Sequence, residues 1–264
     1  MRSRAVLALA LGLVLLVTGC GGPGKTPPRA AGQPASGSPT PEPTPTPTPQ
    51  PSRTTPPPKP KLRPLPKTLP AGLHRRSGDH AVALTFDDGP DPRWTPQILD
   101  QLRAAHVTAT FCLIGKQAER YPELVARIAR EGHQLCNHSW RHDLNLGRRP
   151  VADIKADLTR TNRAIRAAVP NAKITWFRQP GGRWTGEDVA VARELGMRPL
   201  HWTVDPQDWN HPNAKTIIKR VEAAARPGSI VLMHDGGGDR KQTMAACRQL
   251  IPDLKKRYGI SPLP

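Results

Sequence analysis

Short apolar runs alternate with longer segments of helical periodicity from residue 81 to the C-terminal end. Six runs are predicted to be strands, at residues 81–86, 109–113, 134–137, 175–177, 198–204 and 229–233. Between the first two, Ile98, Leu102 and Ala105 keep the i, i+4, i+7 spacing of a helix that packs on a sheet. Further helices are predicted at 124–129, 154–169, 188–195, 217–225 and 244–257. This alternation predicts an α/β fold in which crossover helices join parallel strands.

The segment from residue 21 to residue 70 has a different composition. It holds 18 of the 32 prolines, includes a run of Pro-Thr alternation, and has too few apolar residues to form a core. We predict a disordered Pro/Thr-rich linker over 21–70 and one folded domain over 71–264. At about 3.1 Å per residue, such a linker spans on the order of 100–150 Å when extended.

The first twenty residues are predicted to be a secretory signal. Arg2 and Arg4 precede an apolar run over 5–17 that is short for a membrane span. The segment ends in the letters VTGC at Cys20, which resembles a bacterial lipobox, where cleavage precedes a cysteine that becomes lipid-modified. The alternative is an ordinary secretory peptide in which Cys20 has no role.

The formal net charge of the chain is +18. Residues 71–264 contribute +10 of it, from 30 Lys and Arg against 20 Asp and Glu. Neither a dense basic run nor a nucleic-acid fingerprint accompanies this charge, so we expect no nucleic-acid partner. We expect this positive charge to attract anionic cell-wall polymers or lipid headgroups.

Three cysteines fall in the predicted domain. Cys112 and Cys136 both lie in strand-like runs, and an exported protein would pair them if the two strands are neighbours. Cys247 makes the number odd. The alternative is that all three are small, buried apolar side chains.

Polar side chains follow five of the six predicted strands. The five segments are Asp87-Asp88, 138–142, 178–181, 205–209 and His234-Asp235. In parallel α/β folds, ligands and catalytic groups collect at the carboxyl ends of the strands, because the loops there converge on one face. The five segments therefore predict one shared site.

Two histidines and a carboxylate in this set have the chemistry of a metal centre. His138 and His142, at i and i+4, are predicted to lie on one face of a helical turn, where they can hold one cation. A carboxylate from the 87–88 pair completes three ligands, and the other is then free to act as a base. This pattern favours a metal-assisted hydrolase.

The five segments, in this order, resemble the motifs of the polysaccharide deacetylases of carbohydrate esterase family 4, which share the NodB homology domain. The resemblance extends over residues 81–235. It implies a distorted (β/α) barrel, whose last strand would have to come from the short run at 258–261.

The resemblance also implies roles for individual residues. Asp88, His138 and His142 match the ligands of one divalent metal ion, commonly zinc and in some members cobalt or another ion. Asp87 matches the general base that takes a proton from the attacking water, and Arg178 matches the residue that holds this base in place.

The last two motifs match the acid side of the reaction. His234 matches the general acid that protonates the departing amine, and Asp205 matches the carboxylate that orients its imidazole. Leu232 and Trp209 would line an apolar pocket for the acetyl methyl group.

The third motif departs from the family pattern. Pro180 and Gly181 are expected to contact the substrate, but many members have an aromatic residue where this chain has Gly181, followed here by Gly182. The backbone N–H of a glycine can still serve an oxyanion, whereas the missing side chain implies a more open sugar subsite. Trp140 and Trp184 either stack on sugar rings near the cleft or pack in the core.

These features indicate an N-deacetylase that acts on N-acetylglucosamine units of a glycan. Peptidoglycan is the leading substrate, chitin oligomers come second, and O-acetyl groups of xylan come third. We expect a monomer anchored by lipid at the extracellular face of the bacterial cell membrane, or secreted if the lipobox is not used.

Two other classes of protein could be built on the same residues. Iron(II) oxygenases also use two histidines and one carboxylate, although usually on an all-β scaffold. A wall-binding lectin derived from a hydrolase would lack Asp87, His234 or a metal ligand, and all of these are present.

Overall fold

Six strands and seven α-helices alternate along residues 62–264, the part of the chain that the computed structural model describes. The predicted signal peptide, Cys20 and the linker up to residue 61 lie outside the described residues. In chain order the elements are β1 (Ala83–Asp87), α1 (Thr95–Ala104), β2 (Thr110–Leu113), α2 (Gly115–Arg120), α3 (Pro122–Arg130), β3 (Gln134–Asn137), α4 (Val151–Ala168), β4 (Ile174–Phe177), α5 (Gly186–Glu194), β5 (Arg198–Pro199), α6 (Ala214–Ala224), β6 (Ile230–His234) and α7 (Lys241–Tyr258).

The strands form one sheet in the order β5-β4-β3-β2-β1-β6, and every pairing is parallel. The run predicted as one strand over 198–204 is divided. Its first two residues form β5 beside β4, and Val204 makes an isolated parallel bridge to Val231 of β6. Because β5 and β6 are the two edges of the sheet, this bridge curls it into a distorted (β/α) barrel, and the predicted fold is confirmed.

Strand side chains alternate between two buried layers, as the period of two requires. Residues such as Leu84, Phe86 and Phe111 face the helices and belong to the larger apolar core. The opposite faces point into the barrel, where a second cluster contains Ala83, Cys112, Cys136, Trp176, Leu200, Ile230 and Leu263. The barrel interior is therefore filled by apolar side chains away from the carboxyl ends of the strands, and the polar groups of the site lie at those ends.

Some differences from the sequence prediction have local causes. Helix α2 was not predicted, since its six residues are too few to show a period. The 258–261 run does not form a seventh strand and makes only one isolated parallel bridge, from Ile260 to Val82, because α7 continues to Tyr258. Arg63, within the predicted linker, donates hydrogen bonds to the carbonyls of Gly147 and Arg149, so the end of that segment contacts the domain.

No helix between residues 62 and 264 combines the length and the apolar character that crossing a membrane requires.

Cys112 and Cys136 are register partners on the adjacent strands β2 and β3, and they form a disulfide inside the barrel. Cys247 is free and buried. Of the two alternatives for the cysteines, the structure therefore shows the paired one, with a 24-residue separation between the bonded positions.

We expect the Cys112→Ala/Cys136→Ala variant to lose about 3 kcal/mol of unfolding free energy, because a bond that closes a loop of this length restricts the unfolded chain. Urea unfolding followed by circular dichroism measures the change. Cys247→Ala is the matched control, since it removes a buried thiol without removing a bond. Reductant should destabilise the wild type and leave the double variant unaffected; an unaffected wild type would contradict the prediction.

Candidate active site

Asp87 and His234 are the last residues of the neighbouring strands β1 and β6, and they are register partners. On β1, the alternation that places Ala83 in the barrel also turns Asp87 inward. Asp88 follows with a φ of 74°, a left-handed conformation that is uncommon outside glycine. The turn lets two consecutive carboxylates reach the same end of the barrel.

Asp88, His138 and His142 offer ligand atoms that all lie within 4.8 Å of one another. Asp88 Oδ1 is 3.5 Å from His138 Nε2 and 3.4 Å from His142 Nε2. The same oxygen is buried and has no hydrogen-bond partner among the described residues. A buried, unpaired carboxylate oxygen between two imidazole nitrogens fits a divalent cation with room for further ligands.

The loop that carries the two histidines is irregular, and the predicted helical turn is wrong. Ser139 and His142 have φ values of 65° and 58°, which an α-helix does not accommodate. The side chain of Asn137 holds this loop instead, because its oxygen accepts the N–H of Ser139 at 2.9 Å. Asp157 on α4 accepts the N–H of Trp140 at 2.7 Å. The loop conformation is thus set by polar contacts rather than by helical hydrogen bonds.

Hydrogen bonding and charge prepare the histidines as ligands. His138 Nδ1 lies 2.8 Å from the carbonyl of Arg178, and donation to that carbonyl leaves the Nε2 lone pair directed at Asp88. Burial lowers the pKa of His138, but Asp87 and Asp88 outweigh it and raise the pKa. Burial and the neighbouring His138 lower the pKa of His142. The negative charges of Asp87 and Asp88 raise the pKa of His138, and the same attraction would favour a bound cation.

Asp87 is held by a buried guanidinium. Arg178 Nη1 donates to Asp87 Oδ1 at 2.7 Å and to the hydroxyl of Thr85 at 3.0 Å, and Arg178 is fully buried. Arg178 follows β4, so this ion pair joins two strand ends across the barrel. Asp87 Oδ2 remains free of the guanidinium and lies 3.6 Å from His138 Nε2.

His234 is paired with Asp208, not with the predicted Asp205. Nδ1 of His234 lies 2.7 Å from Asp208 Oδ1, while Asp208 Oδ2 accepts the N–H of His234 at 3.0 Å and the hydroxyl of Thr243 at 2.9 Å. The turn at Asp208–Asn210 brings this carboxylate back to the end of β6. Asp205 Oδ1 instead accepts the N–H of Gln207 at 2.7 Å. The family resemblance pointed to the first carboxylate of the segment D-P-Q-D, whereas the backbone turn presents the second one to His234.

Burial lowers the pKa of His234, but Asp208 and, at longer range, Asp88 and Asp87 outweigh it and raise the pKa to about 9. The imidazole is therefore protonated at neutral pH, with its Nδ1–H directed at Asp208. Its other nitrogen is left for a ligand.

A cavity of about 410 Å³ joins these groups. Its walls are formed by Asp87, Asp88, His138, His142, Leu144, Gly181, Arg183, Trp202, Asp205, Trp209, Leu232 and His234. Of the residues predicted to contact substrate, Gly181, Trp209 and Leu232 line the cavity, and Trp209 is 48% exposed. Pro180 is buried and does not line the cavity.

Three of the cavity residues were not predicted, namely Leu144, Arg183 and Trp202. A Cβ added to Gly181 would lie 2.9 Å from Leu144, and one added to Gly182 would lie 2.6 Å from the ring of Trp202. The glycines therefore let these two side chains close the wall that the sequence suggested was open. Leu144 and Trp202 are distant along the chain from Gly181 and Gly182, so the sequence did not show these contacts.

The two tryptophans left open by the sequence pack in the core. Trp140 is buried, with Arg160 over its ring at 3.7 Å. Trp184 is buried against Phe177, at 5.5 Å between ring centroids in an edge-on arrangement.

Comparisons with known proteins show which family this chain resembles. A family model described as polysaccharide deacetylase matches residues 74–200. The chain is 42% identical over 200 residues to a chitooligosaccharide deacetylase of Bradyrhizobium sp. (strain ANU 289), covering 71% of this chain and 91% of that protein. It is 38% identical over 183 residues to a peptidoglycan-N-acetylglucosamine deacetylase of Bacillus cereus, covering 69% of this chain and 84% of that protein.

Among solved structures, a carbohydrate esterase family 4 pseudoenzyme from Bacillus anthracis superimposes with a TM-score of 0.68 at 31% identity. The match covers 74% of this chain and 68% of the pseudoenzyme.

We expect Asp208→Asn to lower the pKa of His234 well below about 9, because it removes the main charge that outweighs burial. Asp205→Asn is the matched control and should leave that pKa near its original value, since Asp205 does not contact the imidazole. A pH titration of the His234 ring signals by NMR in metal-free protein measures both. The opposite ranking of the two variants would restore Asp205 as the orienting carboxylate.

Proposed function

The chain belongs to the polysaccharide deacetylase family, and we propose that it removes N-acetyl groups from N-acetylglucosamine units of a glycan with the help of one divalent metal ion. The observation that carries this proposal is that three groups of residues meet at one cavity. These are the Asp88, His138 and His142 ligand set, the Asp87 and Arg178 ion pair, and the His234 and Asp208 pair.

Asp88, His138 and His142 would hold the metal ion, for which zinc is the first candidate because two imidazoles and one carboxylate match its catalytic sites. A cation bound there would polarise the acetamide oxygen and make a bound water more acidic. The burial of Asp88 and His138 keeps this charge in a region of low dielectric, where it acts strongly.

Asp87 is proposed as the general base. Arg178 occupies one carboxylate oxygen and leaves the other facing the ligand histidine, toward the place where a water would be activated. A fixed, singly occupied carboxylate can accept a proton from that water as it attacks the carbonyl carbon. Arg178 thereby also limits the rotation of the base.

His234 is proposed as the general acid. Its pKa of about 9 keeps it protonated at neutral pH, and Asp208 fixes the ring through Nδ1. Nε2 can then give its proton to the departing amine, which is a poor leaving group without it. Leu232 and Trp209 supply apolar surface for the acetyl methyl group.

Peptidoglycan is proposed as the substrate, with chitin oligomers second and O-acetyl xylan third. Relatives named for both of the first two glycans match most of the domain at similar identity, so the choice rests on the predicted anchor, the linker and the basic charge. The iron(II) oxygenase alternative is not supported, because the scaffold is a parallel α/β barrel. The lectin alternative is not supported either, because the base, the acid and the three ligands are all present.

We further propose that the protein is held at the extracellular face of the membrane by lipid on Cys20, with the linker extending the domain into the wall. A domain with a disulfide suits an oxidising compartment, which supports export.

We expect Asp87→Asn to lower acetate release about 10²- to 10⁴-fold, the usual contribution of a general base, while metal content stays near one per chain. The substitution keeps the shape of the side chain and leaves all three proposed ligands in place. Mass spectrometry of acetylglucosamine oligomers, wall fragments and acetylated xylan measures turnover, and elemental analysis measures the metal.

Chelator treatment provides the control for this experiment. Acetate release from the wild type should stop when the metal is removed and return when zinc is added, whereas zinc should not rescue Asp87→Asn. Undiminished turnover in the stripped wild type would refute metal dependence, and full turnover in the variant would refute the assignment of the base.

We expect Cys20→Ser to move the protein from the membrane fraction to the soluble fraction, because one acylated residue is the proposed attachment. Immunoblots of fractionated cells measure the partition. The matched control is Thr18→Ser, which keeps a small residue two positions before Cys20 and should remain in the membrane fraction. Equal partitioning of Cys20→Ser and wild type would exclude the anchor.

A further inference from the structure

The cavity contains one permanently positive side chain that the proposed reaction does not use for catalysis. Arg183 is the single Lys or Arg among the described residues that line it. Among the acidic lining residues, Asp87 is neutralised by Arg178 and Asp88 faces two histidines. Arg183 is therefore a separate positive charge in the substrate cavity.

The guanidinium of Arg183 has no protein partner within residues 62–264. No described carboxylate oxygen lies within 4.0 Å of it, and no described hydrogen bond involves its side chain. By contrast, Arg178 and Arg240, which are buried nearby, donate several hydrogen bonds each. A half-buried arginine in a cavity wall, without a partner, is available to a ligand.

The two glycines before Arg183 set its position. Gly181 and Gly182 have φ values of 61° and 62°, and the Cγ and Cδ of Arg183 lie 3.7 and 3.9 Å from where a Cβ on Gly181 would be. The arginine stem thus lies along Gly181, in the wall of the cavity. A side chain at position 181 would have to share this part of the wall with Leu144 and Arg183.

We propose that Arg183 recognises a free carboxylate on the sugar adjacent to the reacting N-acetylglucosamine, so that the preferred substrate is a glycan strand whose acid groups are not joined to peptide, rather than a neutral strand. This inference rests on the proposed function, because it names the substrate class of the same site. The planar guanidinium matches a carboxylate with two parallel hydrogen bonds, whereas a chitin chain offers only hydroxyls and amides. Asp205, on the same cavity, would repel an anion from its own position and so favours the Arg183 side.

The test compares two tetrasaccharides that differ by one charge. One alternates N-acetylglucosamine with its 3-O-lactyl acid derivative, and the other is the methyl ester of the same compound. In the wild type, the ratio of kcat/KM for the acid to that for the ester is expected to be about 10 to 100, the scale of hydrogen bonding to a charged group in a site open to solvent. In Arg183→Gln the ratio should fall to about 1, and Arg183→Lys should retain part of the preference.

Arg166→Gln is the matched control, because it removes the same charge from an exposed position on α4, and it should keep the wild-type ratio. Binding of the two tetrasaccharides, followed through the fluorescence of Trp202 and Trp209, separates this test from the deacetylase proposal. Tighter binding of the acid than of the ester would support Arg183 even if no acetate were released. Equal binding and equal turnover of acid and ester in the wild type would overturn it, as would a ratio unchanged in Arg183→Gln.

Discussion

The buried ion pair between Arg178 and Asp87 is the interaction on which the rest of the site depends. Arg178 has no exposure to solvent, and its charge is compensated by Asp87 together with hydroxyl and carbonyl oxygens of the barrel interior. Removal of one partner would leave a buried charge, at a cost of about 3–5 kcal/mol. The carbonyl of Arg178 also accepts the hydrogen bond that orients His138. One residue thus positions both the proposed base and a proposed metal ligand.

Much of the architecture could be predicted because strand patterns and polar residues coincide in this fold. Buried strands read as apolar runs, and the groups after Phe86, Asn137, Phe177 and Met233 all reach one end of the barrel. That result needs only the rule that parallel strands present their carboxyl ends on one face. The disulfide, by contrast, depended on whether β2 and β3 are neighbours, which the sequence left open.

The errors arose where backbone conformation within a loop decides which side chain reaches the site. His138 and His142 have helical spacing, yet Asn137 and Ser139 organise them in a non-helical loop. Asp205 and Asp208 are three residues apart, and only a left-handed residue at Gln207 followed by a short turn brings the second one to His234. Similarly, Leu144 forms the cavity wall beside Gly181 although the two residues are distant in sequence. Spacing along the chain does not carry such information.

The bridge from Val204 to Val231 joins the two edges of the sheet, and it lies only four residues before Asp208. The backbone that seals the barrel therefore leads directly into the carboxylate that orients the imidazole. A disturbance at this seam would therefore reach the imidazole of His234 through Asp208. The closure of the barrel and the orientation of this side chain thus depend on one short stretch of backbone.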